Sequence, residues 1–338
     1  MNLESAIDLA FAPAAEAVSA GRIPAAVLGV VTADGRGAVR WTGNATLVPS
    51  AVPVGRETVF DLASLTKVIF TTTEILRLVE ERRIGLDDPI ARAIPDLRQY
   101  DVAGAVERKL TFRQCLAHWT HLPAVEPIYT YGGDPERLKA FVLQRAWTAG
   151  PPVYSDINFI LLGIAIERLR GHGLRQRKLP AGLSFTPAPE ACAATEACTW
   201  RGRVMRGEVH DENAFALGGT AGHAGLFGTI DGVLGFAFDL FAGRALRPES
   251  VAAIRTRVHA NRTVGWEIAH EQWSGGTRCS AETIGHTGFT GTGLWIDFVR
   301  GYAWSLLTNR VHPSRHVDSG IVALRREVGD RLAGAMTG

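Results

Sequence analysis

The sequence predicts a mixed α/β fold in which the two ends of the chain build one domain, residues 1–63 and 218–338. A mainly helical insertion, residues 64–217, interrupts it. Two observations carry this reading. Short apolar runs rich in β-branched residues stand near both ends, at residues 26–32 (Ala-Val-Leu-Gly-Val-Val-Thr) and 302–308 (Tyr-Ala-Trp-Ser-Leu-Leu-Thr). Between them, the stretch from about residue 64 to 170 repeats its apolar residues mostly at helical spacing.

In order along the chain, residues 1–20 carry Glu4, Asp8 and Glu16 with no basic segment. They read as an amphipathic helix of the mature protein and not as a signal peptide, which points to a cytoplasmic protein, or a periplasmic one whose leader has been removed. Residues 26–32, the turn Asp34-Gly35 and residues 38–43 form a hairpin candidate. A helix is expected from Ser64 to a cap at Gly85, and another opens after Thr111, a plausible N-cap. Further helices are expected at residues 134–147 and 156–169, with Ile157, Ile160, Leu161 and Ile164 on an apolar face. Residues 171–190, punctuated by Gly, Pro and Arg, read as surface loop, and a helix follows near Asp231. Residues 284–291 read as a glycine-rich loop ahead of strands at 293–297 and 302–308. A helix at 321–332 closes the chain.

Composition excludes several classes. The chain has 338 residues, 46% of them hydrophobic and 21% charged, as in an ordinary globular protein able to bury a core without staples. Its 36 basic residues nearly cancel 34 acidic ones, so charge argues for neither nucleic acid nor an anionic membrane as partner. No run reaches the roughly 18 apolar residues of a membrane span. Cys115, Cys192, Cys198 and Cys279 lack metal or redox spacing; Cys192 and Cys198 could pair, and reduced thiols are the favoured state.

Three segments carry chemistry. Ser64 and Lys67 lie three apart at a helix start, so their side chains share a face and the amine can activate the hydroxyl. The helix N-terminus adds free N–H groups that favour an anionic intermediate. Tyr154 and Asp156 sit at a loop-to-helix junction, where a phenol beside Lys67 can shuttle a proton and Asp156 can accept from Lys67 or from substrate. The alternative there is a packed tyrosine ring with Asp156 as N-cap. His286, Thr287 and Gly288 precede Phe289, whose N–H can join that of Ser64 in an oxyanion hole, unless the segment is a glycine loop without chemistry. His118 and His121 stand one helical turn apart and His210 with Asp211 could complete a metal site, but nothing in the sequence fixes the distance between the two pairs, and no metal or cofactor is expected. No G-x-S-x-G elbow and no G-K-[ST] phosphate loop is present.

In this order the motifs S-x-x-K, Y-x-[ND] and [KH]-[TS]-G resemble those of the penicillin-recognising serine hydrolases: class C β-lactamases, D,D-peptidases, D-aminopeptidases and family VIII carboxylesterases. The resemblance extends over residues 60–86, 110–122, 154–163, 218–227 and 286–315. It implies a central antiparallel sheet flanked by helices, an all-helical domain, and an active site between the two. It further implies Ser64 as nucleophile, Lys67 as its activator and Tyr154 as general base or acid. The N–H groups of Ser64 and Phe289 would form the oxyanion hole. Asp156, His286, Thr287, Gly288 and Arg315 would meet the substrate, Arg315 at a carboxylate-reading position.

Three departures bear on substrate. His286 stands where class C β-lactamases carry lysine, Asp156 stands where β-lactamases carry asparagine, and residues 171–191 are shorter than the family's usual wall. A histidine of ordinary pKa near 6.5 is a weaker carboxylate anchor than lysine. Asp156 would hold Lys67 protonated and leave the base work to Tyr154. The expectation is a hydrolase of small-molecule esters, amides or D-residue peptides, with at most weak β-lactamase activity. The alternative is a penicillin-binding or sensing module with little turnover.

Overall fold

The computed structural model describes residues 2–337. Its strands in chain order are β1 (Ala25–Thr32), β2 (Gly37–Thr46), β3 (Val52–Pro53), β4 (Phe60–Asp61), β5 (Leu183–Ser184), β6 (Ala194–Cys198), β7 (Arg203–Arg206), β8 (Phe227–Gly228), β9 (Glu267–Ile268), β10 (Ile284–Thr287), β11 (Gly293–Asp297) and β12 (Tyr302–Thr308). The helices are α1 (Leu3–Ser19), α2 (Thr73–Glu80), α3 (Phe112–Leu116), α4 (Pro135–Gln144), α5 (Asp156–Arg170), α6 (Glu212–Ala216), α7 (Ile230–Phe241), α8 (Pro248–Arg255) and α9 (Ile321–Thr337). Seven strands form one antiparallel sheet in the order β3-β2-β1-β12-β11-β10-β9. Strands from both ends of the chain thus meet at β1 and β12, paired from Ala26↔Thr308 to Thr32↔Tyr302.

The pleat explains why β1 is apolar at nearly every position. Ala25, Val27 and Val31 enter the core shared with α7 and the helical region, whereas Ala26, Leu28 and Val30 enter a second core under α1 and α9. A sheet covered on both faces selects a continuous apolar strand in place of an alternating one. In the second core the cross-strand pair Trp295–Trp304 stacks at 4.0 Å, against Ile7 and Ala14 of α1 and Val328 and Leu332 of α9.

Several boundaries differ from expectation. The helix expected from Ser64 to Gly85 takes up regular turns at Leu65 and widens into a π-helical segment at Lys67–Thr72. It ends as α2 at Glu80. The Thr72 hydroxyl donates to the Lys67 carbonyl (2.7 Å) and Thr73 to that of Val68 (3.2 Å), each five residues back, which supports the wider turn. Gly85 caps nothing; its N–H is bound by Asp88 in a separate turn. Helix α4 stops at Gln144 because Arg145 is extended and the Trp147 N–H is captured by Glu107. Residues 284–287 are strand β10 and not loop, and the final helix runs past Leu332 to Thr337. Residues 171–190 are tied down by β5, which pairs with β8. The β6–β7 hairpin was not anticipated. Thr111 does cap α3, in a reciprocal capping box with Gln114. The four cysteines are free thiols, and no helix among the described residues is long and apolar enough to cross a membrane.

One close approach fixes the helical region against the loop that carries His223. A Cβ placed on Gly222 would lie 2.0 Å from the Phe159 carbonyl oxygen and 2.8 Å from the Gly163 nitrogen of α5. Gly222→Ala must push α5 away from that loop and is expected to lose about 1–3 kcal/mol of stability. Urea unfolding measures this; an unchanged midpoint would contradict the packing described.

Candidate functional site

The site begins with a turn. Asp61, at the end of β4, is 2% exposed; its Oδ1 accepts the Ala63 N–H (2.8 Å) and its Oδ2 the His210 N–H (2.6 Å). Burial pushes its carboxyl above the usual range. Ala63 takes φ +47°, a left-handed conformation costly for a residue with a Cβ. The chain therefore turns sharply out of β4 and sets Ser64 at the mouth of the helix. One turn on, the fully buried Lys67 places Nζ 2.9 Å from Ser64 Oγ, 2.8 Å from Asp156 Oδ1 and 3.3 Å from the His223 carbonyl oxygen. Burial works to lower the pKa of Lys67. Asp156 first, and then Tyr154, outweigh it and raise the pKa above its ordinary value, so the amine is an ammonium.

Tyr154 and Asp156 are held by the chain around them. The Ser155 N–H donates to His118 Nδ1 (3.0 Å), the Ser155 hydroxyl to the Pro123 carbonyl (2.6 Å), and the Asp156 N–H to the Ala124 carbonyl (2.9 Å). Ser155, not Asp156, occupies the N-cap position; Asp156 is the first residue of α5, where the helix dipole favours a carboxylate. The Tyr154 ring lies 4.9 Å from Lys67 Nζ, 4.4 Å from the His118 ring and 5.9 Å from the His286 ring. Burial, then the charges of Arg262 and Lys67, hold His118 neutral. Accepting at Nδ1, it carries its proton on Nε2.

The third segment reaches the same place. Thr290 donates to the Asp61 carbonyl (2.7 Å) and Thr292 to that of Leu62 (3.1 Å), which fastens the turn after β10 to the strand leading into Ser64. Gly288 allows this contact, since a Cβ there would lie 2.6 Å from the Leu62 carbonyl oxygen. The backbone N–H groups of Ser64 and Phe289 have no acceptor among the described residues. His286 is buried and donates from Nδ1 to the Thr287 carbonyl (3.0 Å), leaving Nε2 as a bare acceptor without a partner. Burial first, then Lys67 and Arg262, hold its pKa well below the usual imidazole value. Thr287 and Phe289 line the same cleft, of about 610 Å³, as Ser64, Tyr154 and Asp156.

Arg315 also lines the cleft, but its charge is engaged. Its Nε lies 2.7 Å from Glu196 Oε2 and its Nη2 2.6 Å from Glu212 Oε1. The metal-ligating types named from the sequence are not gathered. His118 serves Ser155, and His210 faces Glu196 at 3.1 Å. Among the described residues the group that comes together is Asp156, Asp211 and His223. There Lys67 Nζ already binds Asp156 and His223 Nε2 binds Asp211 (2.8 Å), so an ammonium fills the place of a cation. Burial pushes the Asp211 carboxyl up, and His223 and the Ala214 N–H more than reverse this, so it stays ionised. Sequence reasoning missed Asp61, His223 and Arg262, none of which stands at a telling spacing from Ser64. His210 and Asp211 read from the sequence only as metal-ligating types.

The profile of the family described as Beta-lactamase matches residues 11–327. A protein of Escherichia coli (strain K12) named "Putative D-alanyl-D-alanine carboxypeptidase" is 28% identical, covering 82% of this chain and 74% of its own length. The N-acetylmuramyl-L-alanine amidase of Bacillus subtilis (strain 168) is also 28% identical, over 87% and 79%. Among solved structures, EstCE1, described as a hydrolase with promiscuous acyltransferase activity, superposes with a TM-score of 0.74 at 21% identity over 99% of both chains. The fold is the β-lactamase/transpeptidase one, and the chain belongs to the β-lactamase family of serine hydrolases.

Proposed function

We propose that the cleft hydrolyses an ester or amide bond through an acyl intermediate on Ser64, as a carboxylesterase or a D-residue peptidase or amidase. The observation that carries this is the meeting of Ser64 Oγ and the Tyr154 ring in one cleft over the buried Lys67 ammonium, beside two unoccupied backbone N–H groups. Those N–H groups, of Ser64 and Phe289, would stabilise the oxygen of a substrate carbonyl as it becomes an anion. A protonated Lys67 has no lone pair to offer, so the Ser64 proton passes to the oxygen of Tyr154 acting as a phenolate anion, which returns it to the leaving group and later takes one from water. The ammonium stands against the ring throughout to balance that charge, and Asp156 keeps it charged.

Substrate preference follows from the departures. A neutral His286 supplies no charge to a carboxylate, and Asp156 is bound to Lys67 where a β-lactamase offers an amide to the acylamide group. Both favour ester or D-peptide chemistry over rapid β-lactam turnover. The amidase and hydrolase among the relatives support the same choice.

Ser64→Ala is expected to lower kcat on p-nitrophenyl esters by about 1,000-fold or more; undiminished hydrolysis would refute the nucleophile. Asp156→Asn removes the main group raising the Lys67 pKa, leaving burial to lower it. The ammonium is then lost at lower pH, so the alkaline limb of the pH–kcat/KM profile should move to lower pH. A limb that stays in place would show that Lys67 does not act as a cation.

A further inference from the structure

One of the two backbone N–H groups without an acceptor belongs to the peptide joining Gly288 to Phe289, and the oxygen of that peptide is held from behind. The unit is trans, so its C=O and N–H point in opposite directions. Whatever fixes the Gly288 oxygen therefore also aims the Phe289 N–H. That oxygen accepts the Gly291 N–H (3.1 Å) across the turn and Nη2 of Arg325 on α9 (3.0 Å). The same Nη2 donates to the Thr292 oxygen (2.6 Å), so one guanidinium nitrogen grips both sides of the turn after β10. Arg325 is 4% exposed and does not line the cleft. Among the described residues no carboxylate lies within ion-pair distance of it, and its buried Nε has no partner.

We infer that Arg325 is a positioning residue for the reaction, which through the Gly288 oxygen aligns and polarises the Phe289 N–H as an oxyanion donor. The inference rests on the hydrolase reading above and gives a role within it to a side chain outside the cleft. Gly288 has no Cβ to restrict the peptide that follows it, so the orientation of that peptide must come from contacts. The Thr290 and Thr292 hydroxyls fasten the turn to the strand leading into Ser64, but they donate to Asp61 and Leu62 and not to this peptide. The group on its oxygen is a cation. A charged donor makes the stronger bond, and pulling density toward the oxygen leaves the N–H at the other end a better donor. Burying a guanidinium without a counter-ion is costly. Here no carboxylate neutralises the charge, so its field acts on the two carbonyls it binds. On the next unit Arg310 Nε donates to the Phe289 oxygen (2.8 Å), so guanidinium groups hold the carbonyls on both sides of Phe289.

The test compares Arg325→Met with the wild-type protein on a p-nitrophenyl ester, and on the trifluoromethyl ketone and methyl ketone that carry the same acyl chain. Ser64 Oγ adds to the trifluoromethyl ketone: the Oγ–C bond forms, the carbonyl π pair moves to oxygen, and the Ser64 proton passes to Tyr154. The resulting oxyanion needs the N–H groups, whereas the methyl ketone binds without reacting. Both carbonyls keep one hydrogen bond in the variant, from the Gly291 N–H (3.1 Å) and the Gly288 N–H (2.8 Å), so the turn is expected to persist. Removing a whole oxyanion donor costs about 100–1,000-fold in kcat, so loss of the group behind one should cost about tenfold or more, with KM within about twofold. The trifluoromethyl ketone should bind about tenfold more weakly and the methyl ketone within about twofold of wild type, a split that a merely loosened cleft does not produce. Arg325→Lys keeps the charge but cannot span both carbonyls; it should weaken the trifluoromethyl ketone by about threefold or more, and it decides alone if Arg325→Met does not fold. Undiminished kcat in Arg325→Met, both ketones weakened alike, or wild-type affinity of Arg325→Lys for the trifluoromethyl ketone would each overturn the inference. Failure of the hydrolase reading shows earlier and separately, as no Ser64 adduct of the trifluoromethyl ketone in the wild-type protein, and would remove the inference with it.

Discussion

A lysine with no solvent exposure must be matched or it unfolds its surroundings. Stripping an ammonium of water costs several kcal/mol, which is recovered only by a close counter-charge and filled hydrogen bonds. Lys67 has both: Asp156 at 2.8 Å as counter-charge, with Ser64 Oγ and the His223 carbonyl as further acceptors. Each acceptor comes from a different part of the chain, so this one cation ties the Ser64 turn, the N-terminus of α5 and the glycine loop around His223 together. The same contacts that make its burial tolerable put the hydroxyl, ammonium and phenol side by side.

The rest of the structure serves that convergence. Asp61 clamps the turn ahead of Ser64 and, through the His210 N–H, fastens it to the segment bearing Asp211. Thr290 and Thr292 draw the end of β10 onto the same strand, and Arg325 of α9 binds the Gly288 and Thr292 carbonyls behind it (3.0 and 2.6 Å). The sheet, covered by helices on both faces, gives these loops a rigid base. The Glu196–Arg315–Glu212 cluster closes another side of the cleft and spends its charge on itself.

What the sequence showed and what it hid have a physical basis. Ser64 and Lys67 were legible because helical geometry turns a spacing of three into proximity. Strands β1 and β12 were legible because a doubly covered strand must be apolar along its length. Strand β10 was misread as loop because its glycine at 285 and its polar His286 and Thr287 carry no hydrophobic pattern; its pairing with β9 and β11 alone makes it a strand. The β6–β7 hairpin escaped notice because its second strand, Arg-Val-Met-Arg, alternates too briefly to register. Arg262 has no motif at all. Its place over the Tyr154 ring depends on contacts between residues distant in sequence.

The central claim is that the buried ammonium of Lys67 makes Ser64 the one acylated residue of this cleft. Labelling with a fluorophosphonate, followed by peptide mapping, tests it most directly. The account predicts a single adduct, on the peptide containing Ser64, which Lys67→Ala abolishes. Label on another residue, or equal labelling of Ser64 without Lys67, would contradict it.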